Sequence, residues 1–415
     1  MKVCILSYRS YPFSGGQGVY MRYLSSALRN LGHEVDLISG PPYPEVDEGV
    51  GLVKLPSLDL YSPFSYRRLL LMNPARLNNL PNFIEWAGTI LGNYTEPLVF
   101  GMRACRYLCR DGGKQYDVVH DNQTMSYGIL DIMKAGYPVV ETIHHPVTID
   151  RDMAVQSART IKGKIDYYRW FSFVNMQIKV ARRLPYIITV SQVASRHISE
   201  VFKIPQSRLN VIYNGIDTDI FSPSESVKRA DNMILMVMSR DTLVKGLRFL
   251  LEALAAIKEK YKMKLVVVGS IMKGSETGEL IDSLELAENV SFRDRIDTAE
   301  LVDLYRQATI MAVPSTYEGF GLPAAEAMAC GAPVISTTAG ALPEVVGDAG
   351  VLVPPADSRA LAEAITELMD NPDRRRQYGI LGRRRILEQF SWANAARKTS
   401  EVYLQAVEHS RLKSA

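Results

Sequence analysis

The chain has few cysteines and no long apolar run, which argues against several specialised classes of protein. There are only four cysteines in 415 residues, and the Cys105–Cys109 pair has no second ligand pair, so we expect no zinc site. Cys4 and Cys330 lie in apolar surroundings typical of core residues. No apolar run reaches the roughly 18 residues that a membrane-spanning helix needs. The N-terminal run MKVCILSYRS is too short for a signal peptide, so we expect a cytoplasmic protein.

Neither sign of charge dominates. The net charge of +3 argues against a dedicated nucleic-acid-binding protein. Residues 1–215 carry 24 Lys+Arg against 17 Asp+Glu, whereas residues 216–415 carry 24 against 28. A basic first half is typical of a protein that meets an acidic partner or the inner face of a membrane. Scattered solvated charge is the simpler explanation.

The length and the pattern of the chain predict two domains. Single cores stop growing near 250–300 residues, and this chain is longer. Short apolar runs alternate with helical patterns, which predicts two doubly wound, Rossmann-like α/β domains. We expect the boundary near residues 214–232, where Pro, Ser and charged residues accumulate. The predicted strands are 2–7, 34–39, 117–120, 139–144, 186–190 and 210–213, then 233–238, 264–269, 290–292, 310–314, 333–337 and 350–353.

Residues 161–183 have the pattern of one amphipathic, basic and aromatic helix. Such a helix is typical of a segment that lies on an anionic membrane surface. It is also typical of a domain helix that packs its aromatic side chains inward. The sequence leaves both interpretations open.

The stretch STYEGFGLPAAEAMACG, residues 315–331, has the features of a ligand-binding loop. It follows a predicted strand and leads into a helix that has Pro323 at its first position. Gly319 and Gly321 lack a Cβ, so a ligand can approach the backbone and its free N–H groups. Glu318 and Glu326 are carboxylates that can accept hydrogen bonds from vicinal sugar hydroxyls. The alternative is that Glu318 caps the helix and that Glu326 is a surface residue.

This stretch resembles the signature of the family 4 (group 1) retaining glycosyltransferases. Further matching segments are SGGQGVYMRYLSSALRNLGHEVDLI, VIYNGIDTDIF, ALPEVVGDAGVLVPPAD and FSWANAARKTSEVYLQ. The resemblance implies a GT-B fold, in which two Rossmann-like domains face an interdomain cleft. Residues 1–213 would then bind the acceptor and residues 214–391 the nucleotide sugar. The C-terminal helix, about 392–415, would pack back on the first domain.

The resemblance also implies roles for residues of the second domain. MSRDTLVKGLRFLLEAL resembles the segment that binds the donor diphosphate, here through Arg240 and Lys245. Two solvated surface cations are the alternative explanation. Glu318 would bind the transferred sugar and Glu326 the ribose hydroxyls. The remaining donor-binding residues implied are Gly269 and the backbone N–H groups of Phe320, Gly321 and Leu322.

In the first domain the resemblance points to the ends of strands. Gly15 and Gly16 would form a loop that approaches the donor diphosphate, although a structural turn is an equal alternative. His144 would face the sugar. His120 and Asn122 would lie in the acceptor or sugar region, with Asn122 replacing the second histidine of an HxH pair that many relatives carry. A lone histidine is more often a structural residue than a ligand.

Taken together, these features predict a retaining hexosyltransferase that uses a nucleoside diphosphate sugar, with UDP favoured over GDP. The family's usual mechanism is a front-face substitution in which the leaving phosphate helps to take the acceptor proton. We expect neither a cofactor nor a metal ion, and an acceptor that is either lipid-linked or soluble. Two alternatives are a sugar-nucleotide epimerase of the same two-domain form and a non-catalytic binding protein. Glu318 and Glu326 argue against the first, and Arg240 and Lys245 argue against the second.

Overall fold

The protein forms two compact units, each built on one parallel sheet. A computed structural model describes residues 1–10, 16–61, 64–111, 116–158, 160–238, 243–272 and 274–414. The first unit comprises residues 1–190, 194–212 and 395–415, and the second comprises residues 191–193 and 213–394. Two predicted site residues, Gly15 and Arg240, lie outside the described ranges.

The sheet of the first unit has seven parallel strands in the order β3-β2-β1-β4-β5-β6-β7. Its central strands, including β1, β4 and β5, are almost completely buried, as expected when helices cover both faces of a parallel sheet. The strands are β1 (Lys2–Ser7), β2 (Glu34–Ser39), β3 (Gly51–Lys54), β4 (Val118–Asn122), β5 (Val139–Ile143), β6 (Tyr186–Thr189) and β7 (Leu209–Val211).

Most helices of the first unit connect or flank these strands. They are α1 (Gly16–Asn30), α2 (Tyr66–Leu70), α3 (Leu80–Ile90), α4 (Glu96–Arg106), α5 (Tyr127–Lys134), α6 (Thr148–Ser157), α7 (Ile161–Trp170), α8 (Phe173–Ala181) and α9 (Gln192–Phe202). Gly32, at φ +87°, ends the α1 turn in a left-handed conformation that glycine adopts without strain. Short helical turns cover Pro74–Leu77, Tyr107–Asp111 and Gln206–Arg208.

The second unit repeats the design with six parallel strands in the order β10-β9-β8-β11-β12-β13. These are β8 (Met233–Val237), β9 (Lys264–Val268), β10 (Val290–Arg293), β11 (Ile310–Val313), β12 (Val334–Thr337) and β13 (Val351–Val353). The helices are α10 (Leu247–Ile257), α11 (Glu276–Ser283), α12 (Thr298–Gln307), α13 (Leu322–Ala329), α14 (Leu342–Val346), α15 (Ser358–Asp370) and α16 (Pro372–Gln389); α17 (Trp392–Ser414) follows and enters the first unit at Ala395. A helical turn, Leu243–Lys245, precedes α10.

The predicted fold class, two Rossmann-like doubly wound α/β domains, is confirmed. One correction concerns residues 161–183, which form two helices rather than one. The chain turns at Phe171 and Ser172, and α8 then buries Val174 and Val180 in the core, whereas no residue of α7 is buried. A period of 3.6 runs through both helices, so the periodicity alone did not reveal the break.

The strand order fixes where ligands can approach each sheet. In a doubly wound sheet, the crevice opens outside the carboxyl ends of the two central strands from which the connections diverge. These strands are β1 and β4 in the first unit and β8 and β11 in the second. No helix of the described residues is both long and apolar enough to cross a membrane.

A buried ion pair holds the segment between β3 and β4. The Glu85 carboxylate is fully buried and accepts a hydrogen bond from Arg103 at 2.6 Å and one from the Asp59 N–H at 3.1 Å. We predict that Arg103→Met destabilises the first unit by about 3–5 kcal/mol, because it leaves a buried carboxylate without its cation. The double variant Glu85→Leu/Arg103→Met should recover most of this loss.

Urea unfolding followed by tryptophan fluorescence measures this effect, since Trp86 and Trp170 lie in the first unit. Arg169→Met is the matched control, because its partner Asp166 is 4.0 Å away and both side chains are about half exposed. That variant should cost less than about 1 kcal/mol. Equal losses for Arg103→Met and Arg169→Met would contradict the prediction.

Candidate active site

The loops that follow β8 and β11 meet at the switch point of the second sheet. The Thr316 N–H donates to the Val244 carbonyl at 2.8 Å, which joins the two loops through their backbones. Gly246 caps α10 at φ +72°, and a Cβ there would lie 2.0 Å from the Pro314 carbonyl oxygen. Glycine is therefore required at this point both by the conformation and by the space available.

Lys245 and Glu318 form the charged centre of the site. The Lys245 Nζ lies 2.5 Å from the Glu318 Oε1, and the Ser315 hydroxyl donates to the same oxygen at 3.1 Å. The two side chains are 23% and 13% exposed, so they can still reach a ligand in the crevice. The structure brings together these two residues, which lie 73 positions apart in the chain.

Gly321 caps α13 in a left-handed conformation at φ +102°, and Pro323 occupies the second helical position rather than the predicted first. Among the described residues, the N–H groups of Phe320, Gly321 and Leu322 have no hydrogen-bond acceptor. Such free N–H groups at a helix start favour an anion or a hydroxyl oxygen. The Phe320 ring is buried beside Phe390, at a centroid distance of 5.8 Å, which fixes the loop.

Glu326 lies on the second turn of α13 and is half-buried. The buried Tyr305 hydroxyl donates to its Oε2 at 2.8 Å. Burial raises the pKa of Glu326 to about 7, although the Tyr305 hydrogen bond lowers it. Oε1 has no partner in the part of the chain that the structure describes. Tyr305 was not predicted, because a tyrosine in the preceding helix carries no motif of its own.

Gly269 lies beside these loops. At φ +135° it follows β9, and a Cβ there would lie 2.4 Å from the Met238 carbonyl oxygen at the end of β8. Its N–H donates to the Arg293 carbonyl at 2.8 Å. The residue therefore lies at the same edge of the sheet as Lys245 and Glu318. Among the described residues, no group of three His, Cys, Asp or Glu side chains could hold a metal ion.

His120 lies on β4 with both ring nitrogens engaged. They are 2.6 Å from the Tyr403 hydroxyl of α17 and 2.6 Å from the Thr142 hydroxyl of β5. Complete burial lowers the pKa of His120 to about 3, so the ring is neutral. These contacts leave no ring nitrogen for a ligand and assign His120 a part in positioning β4, β5 and α17.

His144 follows β5 and is oriented by Asn122, the last residue of β4, and by Gln123, the residue after it. Its Nε2 lies 2.8 Å from the Asn122 Oδ1, and its backbone N–H donates to the Gln123 Oε1 at 2.8 Å. Burial and the neighbouring histidines lower the pKa of His144 to about 3. The Tyr20 ring lies edge-on at 4.7 Å. Asn122, in the place of a second histidine, thus holds His144.

Gly16, which was predicted to lie in the loop after β1, is the first residue of α1.

Two buried carboxyl groups near these residues were not predicted. Asp121 accepts a hydrogen bond from the Met125 N–H at 2.8 Å, and Glu141 accepts one from the Gln123 N–H at 3.0 Å. Burial and the adjacent Asp121 raise the pKa of Glu141 well above its usual value. The two hydrogen bonds to backbone N–H groups fix the turn after β4. Single acidic residues inside apolar strands gave no signal of this pairing.

The family of this chain is identified by comparison with known proteins. The sequence profile described as "Glycosyl transferases group 1" matches residues 219–385, and "Glycosyltransferase Family 4" matches residues 14–220. An MMP alpha-(1->4)-mannosyltransferase from Mycolicibacterium hassiacum is 41% identical over 414 residues, covering 98% of each chain. The chain belongs to the group 1, family 4 glycosyltransferases. Together the two family profiles cover residues 14–385 of this glycosyltransferase.

Solved structures show that its fold is GT-B. Sucrose-phosphate synthase from Thermosynechococcus elongatus aligns with a TM-score of 0.72 at 23% identity, covering 97% of this chain and 98% of that one. Anabaena HepE in complex with UDP and glucose aligns with a TM-score of 0.69 at 18% identity, covering 98% and 100%.

The close approach at Gly246 gives a test of the loop geometry. We predict that Gly246→Ala destabilises the second unit by more than the roughly 1–2 kcal/mol that a left-handed alanine costs, because the new Cβ also meets the Pro314 carbonyl. Gly274→Ala is the matched control, since Gly274 has φ +73° and, apart from its chain neighbours, none of the described residues has an atom within 4 Å of an added Cβ. Urea unfolding compares the two. Equal losses would show that the loops do not approach as closely as described.

Proposed function

We propose that the protein is a retaining hexosyltransferase that transfers a hexose from a nucleoside diphosphate sugar to a hydroxyl acceptor. The observation that carries this proposal is the Lys245–Glu318 pair at the switch point of the second sheet. A cation there neutralises a diphosphate, and a carboxylate there binds sugar hydroxyls. Arg240 is proposed as the second cation, on the sequence resemblance alone.

The roles of the other residues follow from chemistry and the resemblance. We propose that Glu326 accepts hydrogen bonds from the ribose hydroxyls through Oε1, while Tyr305 holds Oε2. The N–H groups at the start of α13 would bind oxygens of the donor. Gly269 and Gly16 would allow the nucleotide to approach the backbone, and His144, neutral and held by Asn122, would accept or donate one hydrogen bond to a sugar hydroxyl.

We propose that the reaction is a front-face substitution. The bond from the sugar C1 to the diphosphate oxygen breaks, the bond from C1 to the acceptor oxygen forms on the same face, and the acceptor proton passes to the leaving diphosphate. Glu318, which accepts a hydrogen bond from Ser315 and, in this proposal, from hydroxyls of the sugar, is a weak nucleophile. This disfavours a covalent glycosyl intermediate. With Lys245 and Arg240 as cations, we propose that no metal ion is needed.

Mannose is our first choice of sugar and α-(1→4) our first choice of linkage, since these are the terms in the name of the 41% identical relative. UDP remains our first choice of nucleotide, and HepE, which has a similar fold, is described with UDP. A mannosyl donor with a guanosine base is the main competitor.

Contact with a membrane surface is a further part of the proposal, and it would bring the enzyme to a lipid-linked acceptor. Helix α7 supports it, because Ile161, Ile165 and Tyr168 are 80%, 52% and 56% exposed on a helix that also carries Lys162 and Lys164. Exposed apolar side chains beside lysines are typical of helices that lie in the interface of an anionic bilayer.

The central experiment incubates the enzyme, in the presence of EDTA, with UDP-mannose, UDP-glucose or GDP-mannose as donor and with soluble or lipid-linked mannosides as acceptors. We expect one donor to give a product whose anomeric configuration, read by NMR, equals that of the donor. Lys245→Met should lower kcat by roughly 10²–10³-fold, because a cation on the leaving group is lost. Lys258→Met, which removes a half-buried lysine bonded to Glu285, should stay within about twofold. An inverted product, or an epimerised donor without transfer, would refute the proposal.

The pKa of Glu326 makes donor binding depend on pH. Only the carboxylate accepts hydrogen bonds from two hydroxyls, so UDP should bind more tightly as pH rises through about 7. Tyr305→Phe removes a hydrogen bond that lowers this pKa, so the midpoint should move to higher pH. Calorimetry between pH 5.5 and 8.5 measures the affinity for UDP and the midpoint of its change with pH. The same series on Glu326→Gln gives the part of the pH dependence that comes from the titration of UDP itself.

Tyr261→Phe is the control for that pH series, because it removes a tyrosine–carboxylate hydrogen bond to Asp370 elsewhere on the same unit. Its midpoint should equal that of the unchanged protein. A Tyr305→Phe midpoint that stays in place or falls would show that Glu326 does not bind the donor as a carboxylate.

A further inference from the structure

A cavity lies in the second unit, at the C-terminal end of α13. Its volume is about 690 Å³, within the roughly 300–1,000 Å³ of small-molecule sites. Its walls come from Cys330 and Gly331 after α13, from residues along α16, and from the segment before β8. The donor-binding loops precede α13, so this cavity is separate from the site already described.

The charge in the wall of this cavity is strongly positive. Five arginines line it against a single glutamate, Glu388; the arginines are Arg229, Arg375, Arg376, Arg383 and Arg384. Among the described residues Arg229, Arg375 and Arg383 pair with no carboxylate and donate only to backbone carbonyls. Burial lowers the pKa of Arg229 and of Arg383, since no nearby carboxylate compensates it fully.

The three half-buried guanidiniums have donors to spare. Each guanidinium carries five N–H groups. Arg229 donates two of them, to the carbonyls of Ala308 and Gly331. Arg383 donates three, to the carbonyls of Phe221, Ala329 and Thr218. These bonds hold the arginine side chains in the wall without neutralising them, which is the arrangement that binds a phosphate or carboxylate.

The rest of the wall is apolar and open to solvent. Ile380 and Leu387, on α16, are 64% and 51% exposed, and Pro223, Pro333 and Pro372 also line the cavity. A sugar or a bare phosphate would leave this apolar surface uncovered, whereas a neutral hydrocarbon would leave the guanidiniums without an anion. The ligand that matches both surfaces has an anionic group attached to an apolar chain.

We propose that this cavity is a binding site for a single-chain anionic amphiphile, with a phosphate or carboxylate facing the arginines and an alkyl chain covering Ile380 and Leu387. The charge complementarity selects the head of this ligand and the exposed apolar wall selects its tail. The size of the cavity limits the ligand to a small molecule.

Calorimetry on the full chain tests the proposal, with decyl phosphate below its micellar concentration as the probe. We expect one decyl phosphate per chain, and at least tenfold weaker binding of inorganic phosphate and of the neutral detergent decyl maltoside. Binding should be unchanged in Lys245→Met, which places the probe outside the proposed donor site. Binding that is lost in Lys245→Met would overturn the inference.

Two pairs of variants locate the probe. Leu387→Ser and Arg384→Gln should each weaken binding by roughly five- to tenfold. Leu404→Ser, at a leucine 56% exposed on α17, and Arg359→Gln are the matched controls and should not. Arg384 and Arg359 each pair with a glutamate four positions later, at 2.7 and 2.8 Å, so both substitutions remove the same kind of helix pair.

Three further results would overturn the inference. One is equal affinity in all four variants. Another is binding only to vesicles that contain phosphatidylglycerol, with none to soluble decyl phosphate. The third is a dimer in light scattering that Leu387→Ser converts to a monomer, which would make this face a contact between two copies of the chain.

Discussion

The contact between Lys245 and Glu318 organises the candidate active site, because it joins two loops that arrive from different strands. Each partner alone would be a partly buried charge with an unfavourable desolvation energy. Together, with the Ser315 hydroxyl, they satisfy each other at the edge of the sheet. A ligand with a diphosphate and a sugar offers both residues new partners, so the pair can open without leaving either charge unpaired.

The fold was predictable from the sequence because parallel strands buried on both faces are written as short apolar runs. Edge strand β3 (Gly51–Lys54) was missed, since its GLVK sequence is short and its residues are only half-buried or exposed. The break between α7 and α8 was missed because both helices share one periodicity. The chain breaks the helix in order to bury Val174 and Val180 in the core. The other residues of that core are distant in sequence, so the residues around the break do not reveal it.

The candidate site was predictable where a motif carried it and not where packing did. Glu318, Gly319, Gly321 and Glu326 belong to one contiguous stretch that runs from the loop after β11 into α13, and Lys245 follows a strand at a recognisable spacing. Tyr305, Tyr403 and the Asp121–Glu141 pair act through contacts between distant segments and have no local pattern. His120 illustrates the same limit, because its position at a strand end suggested a ligand, while its neighbours in space engage both ring nitrogens.

The close approach of Gly246 to the Pro314 carbonyl also has an evolutionary consequence. No side chain fits at position 246 while the backbone of the neighbouring loop keeps its path. Residues that are far apart in the gene are therefore not free to drift separately. An insertion or a new turn in one loop must be accompanied by a change in the other, so new donor preferences in this enzyme would arise from paired substitutions rather than single ones.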